Sequence, residues 1–180
     1  HKVAAILRPA STEQVQQCVR IANQFKTPIY SVSTGQNWGY GSSAPSSDCT
    51  LIDLGRLDQI IEYDKTLGYV VLEPGVTQWQ LYEFLQSQGG HHWMDATGSS
   101  VSCSVIGNTV ERGFGHTAYS DHFGNSCDYQ VVLPSGEILE TGLKRYGNTK
   151  CADVYKWGLG PVTDGLFTQS NFGIVTRMTI

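Results

Sequence analysis

Apolar residues crowd together at Val3–Leu7, thin out to every third or fourth position over 15–25, and crowd again at Ile29–Val32. The first and last of these runs read as strands. The middle one reads as a helix whose apolar face is Val15, Cys18, Val19, Ala22 and Phe25. Ser11 followed three residues later by Gln14 has the form of a capping box that opens this helix, and Pro28 closes it. Strand, helix and strand fit in about 30 residues, the length of a right-handed parallel crossover. In such a unit the loop at the carboxyl end of the second strand is a favoured ligand position.

Beyond that loop the period-two pattern returns. Residues 51–54 read as a buried strand, and 60–63 with 69–73 as a hairpin turning at 66–68. Pro74-Gly75-Val76 breaks the pattern. Thr77 and Gln80 form a second capping box, for a helix that stops before Gly89-Gly90. Residues 91–125 carry little periodicity and many Gly, Ser, Thr and His; a stretch that long is expected to line a ligand. A further hairpin is expected at 129–133 and 137–141, around Pro134-Ser135-Gly136, and a last strand at 173–180. Because the chain stops inside that run, it is expected to be cut from something longer.

Composition narrows the class. With 180 residues, 40% hydrophobic and 16% charged, one folded unit is the default. The net charge is -4 with 12 Lys+Arg and no basic run, so nucleic acid is not an expected partner. No apolar stretch approaches the ~20 residues that cross a bilayer, and residues 1–9 lack the layout of a signal peptide. The five cysteines are odd in number and contain no Cys-x-x-Cys pair; they read as buried free thiols and lean towards a reducing, cytoplasmic setting.

The usual nucleotide and metal fingerprints, G-x-G-x-x-G, G-x-x-x-x-G-K-[ST] and H-E-x-x-H, are missing from the sequence. The loop Thr34-Gly35-Gln36-Asn37-Trp38-Gly39-Tyr40-Gly41 could turn successive backbone N–H groups towards one phosphate, because its glycines put no side chain in the way. An ordinary glycine-rich turn fits it equally well. His116 and His122 carry imidazole, a side chain that suits an acid, a base, a cofactor-tuning group or a hydrogen-bonded structural role. The pair His91-His92 has no acid or thiol at metal spacing, so no metal site is expected. Asp121 and Glu111 read as solvated or paired with Arg112.

Taken together, five blocks are more specific than any one of them. They are Ser33-Thr34-Gly35-Gln36-Asn37-Trp38-Gly39-Tyr40-Gly41, Pro74-Gly75-Val76-Thr77, Gly107-Asn108-Thr109-Val110-Glu111-Arg112-Gly113, Lys156-Trp157-Gly158-Leu159-Gly160-Pro161 and Phe167-Thr168-Gln169-Ser170-Asn171-Phe172-Gly173-Ile174-Val175-Thr176. In this order they resemble the FAD-binding domain of the vanillyl-alcohol oxidase and p-cresol methylhydroxylase family. The resemblance implies an α+β, two-lobed fold of PCMH type. Its parts would be a small βαβ lobe at 1–57 carrying the pyrophosphate loop and a larger mixed or antiparallel sheet lobe with helices at 58–180. Extended FAD would lie between them, and a cap domain for the substrate would follow Ile180.

Carried over residue by residue, Ser33, Thr34, Gly35, Gln36, Asn37 and Trp38 fall in the pyrophosphate loop, and Pro74 and Gly75 near the nucleotide half. Thr97, Gly98, Ser99, Gly107 and Asn108 fall along the flavin and pyrophosphate; Gly173, Ile174 and Val175 supply a backbone edge. Tyr40 matches a tyrosine that helps hold the substrate's phenolate oxygen, although a packed turn tyrosine fits the same position. His116 stands where tyrosine is usual after Gly115, and Ser99 where some oxidases place an acid facing the flavin. The pyrophosphate loop has neither His nor Tyr at the position that links flavin in histidyl-linked relatives, so non-covalent FAD is expected. The implied activity is hydride transfer to flavin from para-substituted phenols or related alcohols, in a complete enzyme of which this chain is an inactive part. A 2-hydroxy acid dehydrogenase, a sugar-nucleotide reductase and a non-catalytic flavin-binding module stay open as alternatives, as does a homo-oligomer.

Overall fold

The computed structural model describes residues 2–36, 45–147 and 149–180. Strand β1 (Val3–Leu7), helix α1 (Thr12–Gln24), β2 (Ile29–Val32) and β3 (Cys49–Asp53) make a three-stranded parallel sheet in the order β1-β3-β2. The crossover is therefore wider than the expected β1-α1-β2 unit: β3 lies between the two strands, and Leu51 pairs with both Ile6 and Tyr30. A central parallel strand is covered on both faces, which is why Cys49, Thr50, Leu51 and Ile52 are all buried.

Ser11 caps α1 by accepting from the Gln14 amide at 3.3 Å, but the Gln14 side chain reaches back to Ala10 rather than to Ser11 itself. The helix ends at Gln24, ahead of Pro28, because Lys26 turns out of it at φ 50. Phe25, expected on the apolar face, caps the helix and is exposed; only Val15 and Val19 of that face are buried. The polar residues on α1 have their own partners. Thr12, Gln16, Arg20 and Asn23, spaced three or four apart and so on one side, bond Gln130 and the carbonyls of Gly136 and Pro134.

The second sheet is wholly antiparallel, in the order β4-β5-β8-β6-β7, from β4 (Ile60–Asp64), β5 (Tyr69–Leu72), β6 (Cys127–Val132), β7 (Ile138–Glu140) and β8 (Ile174–Thr179). The expected hairpins are β4-β5 and β6-β7, and β8 joins them. Helix α2 (Gln78–Ser87) begins with a complete capping box between Thr77 and Gln80. A short helix α3 (Val105–Val110) lies inside the aperiodic stretch and was not expected. Leu72, Val76, Leu81, Ile106, Tyr129 and Met178 centre the main core. A second core ties the sheets together, with Val15, Ile52 and Leu57 packed in one cluster with Val132 and Ile174. The fold class is α+β, as expected.

Among the described residues no helix is long and apolar enough to cross a membrane. The cysteines are free thiols; Cys49, Cys103 and Cys127 are buried and Cys18 is half-buried, but Cys151 is exposed, against expectation.

Asp128, at the start of β6, is 1% exposed, and neither of its carboxylate oxygens has a hydrogen-bond partner among the described residues. Burial, reinforced by nearby Asp153 and only partly offset by Lys144, pushes its pKa up to about 7. Lys144 is committed to Asp153 at 2.6 Å. A carboxyl raised in the fold above its unfolded value of about 4 adds stability in acid that is lost as pH climbs towards its folded value. Asp128→Asn keeps the shape and tolerates the backbone φ of 50. The expected outcome is a thermal midpoint at pH 8 raised by roughly 2–4 °C or more, with the gain shrinking towards pH 5. Unfolding curves across that range check it; a variant that loses stability equally at every pH overturns the assignment.

Candidate functional site

A cleft of about 610 Å³ opens where the carboxyl end of β2 meets the turn at Pro74, the 97–99 segment, α3 and the start of β8. It is lined by Ser33, Thr34, Gly35, Gln36, Pro74, Thr97, Gly98, Ser99, Gly107, Asn108, His116, Gly173, Ile174 and Val175, residues drawn from six separate parts of the chain. Gly75 is not on its surface. A Cβ there would lie 2.6 Å from the Leu57 carbonyl and 2.7 Å from that of Gly55, so Gly75 shapes the turn from behind. Asn37, Trp38 and Tyr40 lie outside the described residues.

Ser104 holds these parts together. As the N-cap of α3 it accepts from the Gly107 amide at 2.7 Å, while its hydroxyl donates to the Pro74 carbonyl at 2.6 Å. Its own amide donates to Thr34 Oγ1 at 3.1 Å, fixing the first turn of the Thr34 loop against α3. Gly107 is needed at this junction, since a Cβ there would stand 2.6 Å from Ser33 Oγ. Buried Gln78 pins the next wall, accepting from the Thr97 amide at 3.0 Å and donating to the Ser100 carbonyl at 3.1 Å. Ser99 Oγ then donates to the Gln36 carbonyl at 3.0 Å across the cleft.

The cleft carries little side-chain charge. The Arg112 Nε donates to Thr168 Oγ1 at 2.8 Å, and its guanidinium lies 5.3 Å from the centre of the Phe123 ring. Its partner is thus Thr168, not Glu111, whose carboxyl burial pushes above the usual range. The amides of Gly35 and Gln36 have no acceptor among the described residues. Unpaired amides at a strand-to-loop turn, beside glycines that leave no Cβ in the way, suit an anion held by backbone dipoles, such as a diphosphate. The glycine cradle and the scarcity of lysine and arginine both fit a dinucleotide with a flat ring system.

His116 faces the cleft at Gly98, where an added Cβ would be 2.8 Å from Nε2. His122 is hydrogen-bonded at both ring nitrogens instead: Nδ1 to Asn108 Oδ1 at 2.5 Å and Nε2 to Asp95 Oδ2 at 3.1 Å. Asp121 accepts from the Gly124 amide and makes no pair with Arg112. His92 bonds the Tyr63 hydroxyl at 2.7 Å. Among the described residues no group of three or more His, Cys, Asp or Glu could hold a metal. Sequence reasoning missed Ser104, Gln78 and Arg112 as parts of the site. The one available signal was Ser104 three residues before Gly107, the spacing of an N-cap.

Residues 3–142 match the family described as FAD binding domain. The 1'-carboxy-chondrochloren decarboxylase of Chondromyces crocatus is 46% identical over 100% of this chain and 34% of its own length. The flavoprotein subunit of 4-cresol dehydrogenase [hydroxylating] from Pseudomonas putida is 38% identical over 99% of this chain and 34% of its own. Among solved structures, 4-ethylphenol oxidase from Gulosibacter chungangensis, in an isoeugenol complex, superposes with a TM-score of 0.93 at 42% identity, over 97% of this chain and 34% of that one. The chain spans about a third of the length of the curated relatives it matches.

Gly107→Ala is expected to lower FAD affinity by about tenfold, because the new methyl would crowd the Ser33 hydroxyl at 2.6 Å and the Ser104 side chain at 3.1 Å, where the Thr34 loop meets α3. Fluorescence titration of the cofactor-free protein with FAD measures it. A variant that binds FAD as tightly as wild type removes Gly107 from the cradle.

Proposed function

The chain belongs to the FAD binding domain family, and on that premise we propose that it is the FAD-holding part of a flavin-dependent oxidoreductase acting on para-substituted phenols or related alcohols. The observation that carries this reading is the amide-lined cleft in a chain 38% identical to the 4-cresol dehydrogenase flavoprotein subunit and 42% identical to 4-ethylphenol oxidase. Bound FAD would supply the hydride acceptor. Gly35 and Gln36, with Asn37 and Trp38 in the same loop, hold the diphosphate through their amides. Ser33 and Thr34 set the loop against α3, and Pro74 with Gly75 shapes the wall beside the nucleotide half. Thr97, Gly98, Ser99, Gly107 and Asn108 run along the flavin and diphosphate, and Gly173, Ile174 and Val175 present backbone at the edge of β8.

At the substrate end Tyr40 donates to the phenolate oxygen, and His116, beside Gly98, contacts the reacting region. Holding the phenolate makes hydride loss from the carbon attached para to the oxygen easier, since the electron density that leaves is replaced through the ring. FAD is held without a covalent link to this loop, residues 1–57 and 58–180 form the two lobes, and a cap domain from the remainder of the protein closes over the substrate. Oxidative chemistry with loss of a carboxyl group is a second reading, favoured by the 46% identity to a protein named as a decarboxylase.

In the full-length protein, FAD should raise the thermal midpoint more than riboflavin, since only FAD uses the diphosphate loop. Under anaerobic conditions 4-hydroxybenzyl alcohol should bleach the flavin absorbance and D-lactate should not. Tyr40→Phe should lower kcat/KM for the phenol by about 10- to 100-fold. Reduction by D-lactate alone would replace the phenol reading with the 2-hydroxy acid one, and equal shifts with riboflavin and FAD would remove the diphosphate loop.

A further inference from the structure

Behind the cleft lies a second cavity of about 340 Å³, and Asn108 is in the wall between the two. On the far side its amide oxygen meets His122 Nδ1 at 2.5 Å, and His122 Nε2 meets Asp95 Oδ2 at 3.1 Å. Asp95 is fixed in turn: its other oxygen accepts from the Thr117 amide at 3.1 Å. Burial disfavours the Asp95 carboxylate, but bonds from Thr117 and His122 outweigh it and hold the group below its usual range, so it stays ionised. The side chains of His122 and Asp95 are 13% and 10% exposed.

We propose that Asp95 and His122 are positioning residues for Asn108: the Asp95–His122 pair holds the oxygen end of the Asn108 amide and leaves its NH₂ end to donate to FAD in the cleft.

The hydrogen-bond inventory makes the case. The His122 ring is held at both nitrogens, by Asn108 Oδ1 on one side and by the Asp95 carboxylate on the other. With Oδ1 turned to His122, the NH₂ end of the amide is left on the side of Gly113, a residue of the cleft wall. Asn108 Nδ2 has no acceptor among the described residues, although it sits close enough to Gly113 that a Cβ there would collide with it. A donor fixed at its root and unpaired at its tip, in the cleft wall, is what an acceptor on the ribityl chain, diphosphate or flavin would use. The backbone of Asn108 is fixed independently, by its amide bonding the Ser104 carbonyl at 3.1 Å, so His122 governs the side chain alone.

The inference rests on the FAD reading of the cleft, and a double-mutant cycle separates the two. FAD affinity is measured by fluorescence titration of the full-length, cofactor-free protein as wild type, Asn108→Ala, Asp95→Asn, His122→Ala and each pair with Asn108→Ala. Asp95→Asn, nearly isosteric, guards against a fold lost in His122→Ala, and thermal midpoints without FAD report that loss directly. The expected result is a fall of roughly five- to tenfold for each single variant, the value of about one hydrogen bond, with little further loss when Asp95→Asn or His122→Ala is added to Asn108→Ala. Full additive losses would make the pair a structural support unrelated to Asn108 and overturn the inference. Unchanged affinity in Asn108→Ala would overturn it too while leaving the rest of the cleft in place. Wild-type protein that takes up no FAD would sink the cofactor reading and this inference with it.

Discussion

The hydroxyl of Ser104 is the point on which the cleft depends. It donates to the carbonyl at Pro74 and accepts from the amide of Gly107, while the Ser104 amide reaches Thr34. Three segments far apart in sequence thus meet on one residue that is 2% exposed. Removing one partner of a buried bond leaves the other without water or protein to satisfy it, which costs about 1–3 kcal/mol each. The Thr34 loop, the turn behind it and the helix with Gly107 and Asn108 are therefore set relative to one another before any ligand arrives. Preorganised amides of this kind spend little binding energy on ordering.

How legible this was depended on the scale of the signal. Both hairpins, both long helices and the final strand announce themselves through period and capping, as at Thr77 and Gln80, where one residue pair both marks and makes the helix start. Helix α3 does not, because six residues containing Gly107, two valines and a threonine carry neither length nor helix propensity. It exists because Ser104 and the buried Ile106 hold it in place, a tertiary cause that local sequence does not carry. The insertion of β3 between β1 and β2 is equally invisible, since pairing order is not written in the period of any one strand. The site glycines were read from resemblance, and the structure gives them a reason in the close contacts at Gly75, Gly98 and Gly107. Gln78 and Ser104 escaped because a polar residue buried for its hydrogen bonds looks, in sequence, like any helix or loop residue.

A cleft built from backbone dipoles behaves differently from one built from lysines. Attraction for an anion made that way is short-ranged and directional, and so less sensitive to salt than a cluster of exposed charges would be. Two of the ionisable groups near it have partners of their own: Arg112 bonds Thr168, and His122 bonds Asp95 and Asn108. A largely buried ion pair, Lys144 with Asp153, lies instead beside Asp128 at the start of β6.

The central place of β8 has a consequence for how the chain is made. Its residues, 174–179, are the bridge between the β4-β5 and β6-β7 hairpins, and its first residues also line the cleft. A polypeptide leaving the ribosome can close each hairpin from local contacts, but the two must wait, edges unpaired, until this later strand emerges to join them. The nascent chain therefore spends part of its synthesis with unpaired strand edges and no finished cleft.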